Sequence, residues 1–360
     1  MENLGGHLNA YTSREQTVYY AKVFKTDVAR AVDIISDILQ NSTLEPWKVD
    51  RERDVILREA REVDKQTEEV VFDHLHSVAF PKSPLGMTIL GPAENIRTIT
   101  RNDLCEYVRE NYHGERMVFA AAGAVNHEEL VNLVDAAYTR VPKGTVRPAI
   151  ATPAVFTPGQ VRVARDDVDK AHVALAIEGV HWTHPDYFAL MVAQAITGSW
   201  DRSLAAGGSS SSRLAQLISR KQMADSFMSF NTCYTDTGLH GVYFVSSQPN
   251  RVSELIEMIQ SEWQRLGQGV SDEEVRRAKT QLKCAILMQL DGTTMICEDI
   301  GRQMLTYGRR MTPFEIDARI EDVDPARVQD VARRYLAKPF ALAAVGNVES
   351  VPVSAVGYSS

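Results

Sequence analysis

No apolar run in these 360 residues approaches the roughly 18 that a membrane-spanning helix requires, so any membrane contact is expected to come through partners. Cysteine is scarce: Cys105, Cys233, Cys284 and Cys297 stand alone, without C-x-x-C spacing. That pattern excludes a dense disulfide framework and reads as buried thiols in a reducing compartment. Positive charge is also in deficit, with 39 Lys and Arg against 47 Asp and Glu and a formal net charge of −8. A general nucleic-acid binder needs a basic surface to displace counterions, so that class is excluded, and a basic partner or substrate is favoured. What is present is ordinary globular material, 44% hydrophobic and 24% charged, long enough for about two domains.

The chain repeats itself once. Tyr11 and Tyr234 lie 223 positions apart, and the same offset relates Tyr20 to Tyr243, Tyr112 to Tyr335, Gly123 to Gly346 and Val125 to Val348. A period of this size means domain duplication. In each copy an apolar strand (Val18–Ala21, Val242–Val245) precedes a helical pattern: Ala31, Ile34, Ile35, Ile38 and Leu39 in the first, Val252, Leu255, Ile256, Ile259 and Trp263 in the second. Each copy then has a helix ending at its Tyr and a strand running into Gly, Met117–Gly123 and Phe340–Gly346. The stretch from Pro46 to Ala79 is helix-compatible throughout and is expected to form one long helix or two abutting ones. Hairpin spacing around 11–23 and 225–246 with long helices predicts an α+β fold, each domain a mostly antiparallel sheet covered by helices. The proline-rich segment 146–158 reads as a linker between a first domain, 1–145, and a second, 159–360. The second copy starts near Gln160, and subtracting the offset puts the start of the first roughly 60 to 70 residues ahead of Met1, so the first domain is expected to be incomplete.

Several runs resemble one family closely. These are His7–Glu15 (HLNAYTSRE), Glu52–Glu59 (ERDVILRE), Val71–His76 (VFDHLH), Ser229–Gly238 (SFNTCYTDTG), Leu290–Thr294 (LDGTT), Cys297–Arg302 (CEDIGR) and Thr306–Arg310 (TYGRR). They are similar to the beta-type subunits of mitochondrial processing peptidases and to the related core-1 proteins of the cytochrome bc1 complex, within the pitrilysin-like M16 zinc peptidases. The loop Ala205–Ser212 is shorter and richer in serine than the glycine-rich loop of the alpha-type subunits, which favours the beta or core-1 branch. The resemblance implies two homologous sandwich-like domains of the LuxS/MPP-like metallohydrolase type.

It also implies a chemistry. Family enzymes hold zinc with an inverted motif, H-x-x-E-H, whose Glu activates water, plus a carboxylate from a later helix. By resemblance that later ligand is Glu59, supported by Glu52 seven residues earlier, about two turns away and on the same side. None of the nine histidines begins an H-x-x-E-H, and His74 and His76, two apart, diverge on a helix. The histidines therefore read as structural, and the position matching the second motif histidine falls ahead of Met1. Leu282, at the Glu59 position of the second copy, cannot bind metal, so the second domain is expected to close the cavity without holding zinc.

From the residues alone, Glu59, Glu62, Glu69 and Asp73 form an acidic stripe at near-turn spacing, which reads either as a solvated helix face, the usual meaning of a charge run, or as a surface with positive charge nearby. Resemblance assigns Glu69 and Asp73 to recognition of a presequence arginine, and Asn9, Ala10 and Tyr11 to an edge strand that binds the presequence extended. The expected protein is a beta-type processing-peptidase subunit of the mitochondrial matrix, zinc-dependent as a full-length family enzyme but inactive and zinc-free as this chain. Its expected partners are an alpha-type or core-2 subunit and arginine-containing presequence peptides. The alternative is a structural core subunit of the bc1 complex on the matrix side of the inner membrane, in contact with other bc1 subunits.

Overall fold

The computed structural model describes residues 5–142, 152–203 and 210–352. Most of the Ala205–Ser212 loop, the first part of the linker and the last eight residues lie outside them. In chain order the elements are β1 (His7–Thr12), β2 (Thr17–Lys22), α1 (Val28–Gln40), α2 (Pro46–Val63), α3 (Thr67–Ala79), α4 (Ala93–Thr98), α5 (Arg101–Asn111) and α6 (His127–Ala137). Then come β3 (Gly159–Ala164), β4 (Ala171–Glu178), α7 (Tyr187–Thr197), β5 (Ser199–Asp201), α8 (Arg213–Lys221), β6 (Ser226–Cys233) and β7 (Gly238–Ser246). The chain continues through α9 (Val252–Gln268), α10 (Asp272–Gln289), α11 (Thr293–Tyr307), α12 (Pro313–Glu321), α13 (Pro325–Val331) and β8 (Ala341–Gly346).

Adding 223 to the bounds of β1 through α5 lands in turn on the β6 end, β7, α9, α10, α11, α12 and α13, so the tyrosine register is a register of whole elements. The helix starts are chemically marked. Thr100 and Asp103 form a reciprocal capping box at α5, and the Asp324 side chain accepts from the Arg327 amide at α13, where Pro325 occupies the first turn.

Two compact units form, one from 1–62, 88–151 and 289–310, the other from 63–87, 152–288 and 311–360. They interleave along the chain. Helix α3 precedes the linker yet belongs to the second unit, and its counterpart α11 follows the linker yet belongs to the first. Each repeat thus gives one helix to the other's unit.

The second unit is a six-stranded sheet in the order β3-β8-β4-β7-β6-β5, antiparallel except for the parallel pair β3 and β8. Strand alternation divides its side chains. Val173, Leu175 and Ile177 of β4 face a large core with α7 and α9, while Ala174 and Ala176 face a second core under α3. All five apolar α9 positions read from the sequence are buried. Gly346 ends β8 with φ +98°, and a Cβ there would meet the Lys170 carbonyl oxygen at 2.2 Å.

The first unit has a two-stranded sheet, β1 against β2, among its described residues. The strand expected at Met117–Gly123 does not form: these residues are irregular, and no described strand lies beside them to complete a ladder. The equivalent β8 is a strand because β3 and β4 flank it on both sides. For the same reason α1 is less covered than α9. Ala31, Val32 and Ser36 are buried on α1, but Ile38 stays exposed.

Pro46–Ala79 forms two abutting helices. They break at Asp64–Gln66, where the Arg165 guanidinium donates to the Asp64 carbonyl at 2.6 Å and takes up an acceptor that a continuous helix would use internally.

Candidate functional site

In the first unit, β1 pairs along one side with β2, placing Asn9 opposite Tyr20, Ala10 opposite Tyr19 and Tyr11 opposite Val18. Its other side has no strand partner among the described residues. Asn9 and Ala10 are exposed, and the Asn9 side-chain oxygen accepts from the Ala10 amide at 2.8 Å. Such an edge offers main-chain donors and acceptors to an extended peptide. Tyr11 is anchored: its hydroxyl donates to Glu298 Oε1 of α11 at 2.9 Å. Burial, with the Glu298 hydrogen bond adding to it, pushes this phenol up to about 12.

Glu52 and Glu59 both lie on α2, which has no buried residue, and both are exposed. The helix is tied to its unit by Arg53, which donates to the carbonyls of Ile96 at 3.0 Å and Ile99 at 2.8 Å. Among the described residues no group of three or more His, Cys, Asp and Glu side chains is placed to hold a metal ion. A zinc site needs three or four such ligands converging on one point, so the residues present do not fit the metal that the resemblance implies.

In the second unit Glu69 is exposed and Asp73 half-buried on α3. The acidic stripe is therefore split, with Glu59 and Glu62 on α2 and the other pair on α3. Helix α3 is seated by Val71, Leu75 and Ala79, all fully buried, and by the Phe72 ring, 5.1 Å from that of Phe230. Glu68 and Glu69 stand in its first turn, where the helix dipole favours negative charge.

That turn lines a cleft of about 510 Å³ bounded by Gln66, Thr67, Glu68, Glu69, His172, Ser226, Tyr243 and Val245. His172 Nδ1 and the Tyr243 hydroxyl lie 2.8 Å apart. Burial, and then the Glu68 charge, hold the Tyr243 phenol above its ordinary range, while burial and the Lys170 ammonium push His172 down. The cleft thus combines two carboxylates with a neutral phenol and a neutral imidazole, a lining suited to a cationic side chain. His172 and Tyr243 were not legible as site residues, because a strand position says nothing of which helix will cover it. The only signal was Tyr243 as the repeat partner of Tyr20.

The Insulinase (Peptidase family M16) model matches residues 1–93, and the Peptidase M16 inactive domain model matches residues 98–282. The mitochondrial-processing peptidase subunit beta of Blastocladiella emersonii is 52% identical over 353 residues, which cover 98% of this chain and 76% of that protein. This chain belongs to the M16 peptidases, among the mitochondrial-processing peptidase beta subunits.

The corresponding subunits of Lentinula edodes and Homo sapiens are 51% and 49% identical, each over 98% of this chain, covering 77% and 72% of those proteins. A chain in the solved structure "Complex III2 from Candida albicans, Inz-5 bound" superposes with a TM-score of 0.90 at 23% identity, covering 97% of this chain and 84% of that one. At that identity the likeness is one of fold. The resemblance read from the short runs of residues is thereby borne out, as is the two-domain α+β reading.

Proposed function

We propose that this chain acts as the presequence-handling beta-type subunit of a mitochondrial processing peptidase, and that these 360 residues bind presequences without hydrolysing them. Family membership makes it a mitochondrial protein, of the matrix or the matrix face of the inner membrane. No helix among the described residues is long and apolar enough to cross a membrane. The reading is carried by the identity to processing-peptidase beta subunits along nearly the whole chain. The acidic head of α3 and the open side of β1 support it.

Each part has a chemical task. Presequences are rich in arginine and poor in acid, so a chain of net charge −8 draws them in. Glu69 and Asp73 accept the forked donors of a guanidinium, and the β1 edge around Asn9, Ala10 and Tyr11 takes the peptide main chain in extended form. An alpha-type subunit is the expected partner. Zinc would supply activated water in a family enzyme, but Glu59 has no imidazole pair beside it among the described residues, so the proposed role of this chain stops at binding.

A second reading, a structural core subunit of the respiratory bc1 complex, is favoured by the fold shared with the complex III2 chain. One set of measurements separates the readings. The purified 360-residue protein is mixed with an arginine-containing presequence peptide; binding is followed by calorimetry, cleavage by mass spectrometry and zinc by elemental analysis. Binding without cleavage or stoichiometric zinc is the expected result. Cleavage with bound zinc would overturn the inactive assignment, and absence of peptide binding would favour the scaffold.

A further inference from the structure

The acidic pair on α3 is useful only if the helix is turned the right way, and one hydrogen bond is placed to set that turn. At about 100° per residue, His76 lies about 20° from Glu69 and about 60° from Asp73 around the helix axis. It marks the border between the acidic side and the side buried through Val71, Leu75 and Ala79. His76 Nδ1 is 2.6 Å from the Phe72 carbonyl and so donates to it, leaving Nε2 to accept from the Tyr234 hydroxyl at 2.5 Å. The two rings meet edge to face with centroids 5.8 Å apart, and both residues are buried.

Tyr234 is a fixed post. It opens the tight turn between β6 and β7, its amide donating to the Thr237 carbonyl at 2.8 Å, while its own carbonyl accepts from the Trp182 amide at 3.3 Å. The first unit repeats the device. Tyr11 occupies the same repeat position and donates to Glu298 of α11, the other exchanged helix, one position off the repeat equivalent of His76. A strand-end tyrosine holding an exchanged helix by a polar side chain thus occurs twice.

We propose that the Tyr234–His76 hydrogen bond sets the rotation of α3, making both residues positioning residues for arginine recognition by Glu69 and Asp73. The inference rests on the reading of those two carboxylates as the guanidinium site. The apolar contacts fix α3 against the sheet but tolerate small rotations, whereas a short, directional hydrogen bond does not. With side chains reaching about 5–6 Å from the axis, a 20° turn displaces a carboxylate by about 2 Å, enough to break a two-pronged contact with a guanidinium.

The test measures affinity of the 360-residue protein for two peptides, a presequence carrying one arginine and the same peptide with citrulline in its place. Wild type is expected to prefer arginine by about tenfold, the size of one lost charge-assisted contact. Tyr234→Phe should reduce that preference to within about twofold while leaving the citrulline peptide's affinity unchanged, and should add nothing once Glu69→Gln and Asp73→Asn are present. His76→Gln, whose amide oxygen can replace Nε2 as acceptor, should keep the preference, and His76→Leu should lose it. The histidine pair decides the matter if the phenylalanine variant does not fold. A Tyr234→Phe protein with full preference, or with equal losses for both peptides, would overturn the positioning role. A wild type that does not distinguish the peptides, with no effect of the two acidic-site changes, would overturn the guanidinium reading and the positioning role together.

Discussion

Acid is expected to unfold this protein partly through one histidine. His240 is fully buried in β7, opposite Ile177 of β4 and Asn231 of β6, on the strand face that Val242 and Phe244 turn to the main core. Its Nδ1 lies 3.3 Å from the Asn231 side-chain oxygen, and its Nε2 has no hydrogen-bond partner among the described residues. Burial pushes the imidazole from 6.5 down to about 4. The unfolded chain therefore takes up a proton below about pH 6.5 and the folded chain only below about pH 4, so stability is whole above 6.5 and drains away as pH falls between them. At 1.36 kcal/mol per unit the loss is about 2 kcal/mol by pH 5 and about 3 kcal/mol by pH 4.

The perturbation is His240→Leu, which puts an apolar side chain in the core and removes the titrating group. Urea unfolding at pH 7.0, 6.0 and 5.0 gives the stability of each protein, and the difference between them cancels the carboxylate titrations that both share. That difference should shift by about 2 kcal/mol in favour of the variant between pH 7 and pH 5. Parallel stability curves for the two proteins would refute the argument.

Gly346→Ala places a methyl group 2.2 Å from the Lys170 carbonyl at a left-handed φ, so a loss of at least about 3 kcal/mol or failure to fold is expected, and a fall in melting temperature of less than a few degrees would refute it. The Asp186 carboxylate is buried and bonded to Arg327, Arg334 and Tyr335; although burial raises its pKa, those partners outweigh it and hold the group below the usual range. Asp186→Asn should cost about 2–4 kcal/mol in denaturant unfolding at pH 7, with a wild-type-like stability counting against the network. Leu75→Ala, at a fully buried α3 position, should cost about 2–5 kcal/mol by the same measurement, and a change under 1 kcal/mol would show that α3 is not packed on the second sheet in solution.

Repeats and local chemistry were open to reading from the chain alone, because they depend on positions near one another or on a fixed offset. The two hairpins, the paired helices of Pro46–Ala79 and the buried face of α9 follow from alternation and helical spacing, which the side chains carry wherever the segment packs. Met117–Gly123 shows the limit of that reasoning. Its composition matches Phe340–Gly346, but strand character requires a neighbour's donors and acceptors, and in the first unit none of the described strands supplies them. The candidate site divides the same way: Glu52, Glu59, Glu69, Asp73, Asn9, Ala10 and Tyr11 could be named by resemblance, whereas the cleft partners His172 and Tyr243 could not.

The amino-acid order by itself determined the duplication, the family and the absence of an H-x-x-E-H among the nine histidines, since each is a property of residues read in line. Only the tertiary structure decided that α3 and α11 change places between the two units, that the acidic stripe is cut at Asp64–Gln66 and that His76 bonds Tyr234. The reason is physical. An apolar helix face such as Val71, Leu75 and Ala79 specifies that it must be buried but not against which sheet, and that choice falls to the small alanines of β4 and β8 that let α3 approach.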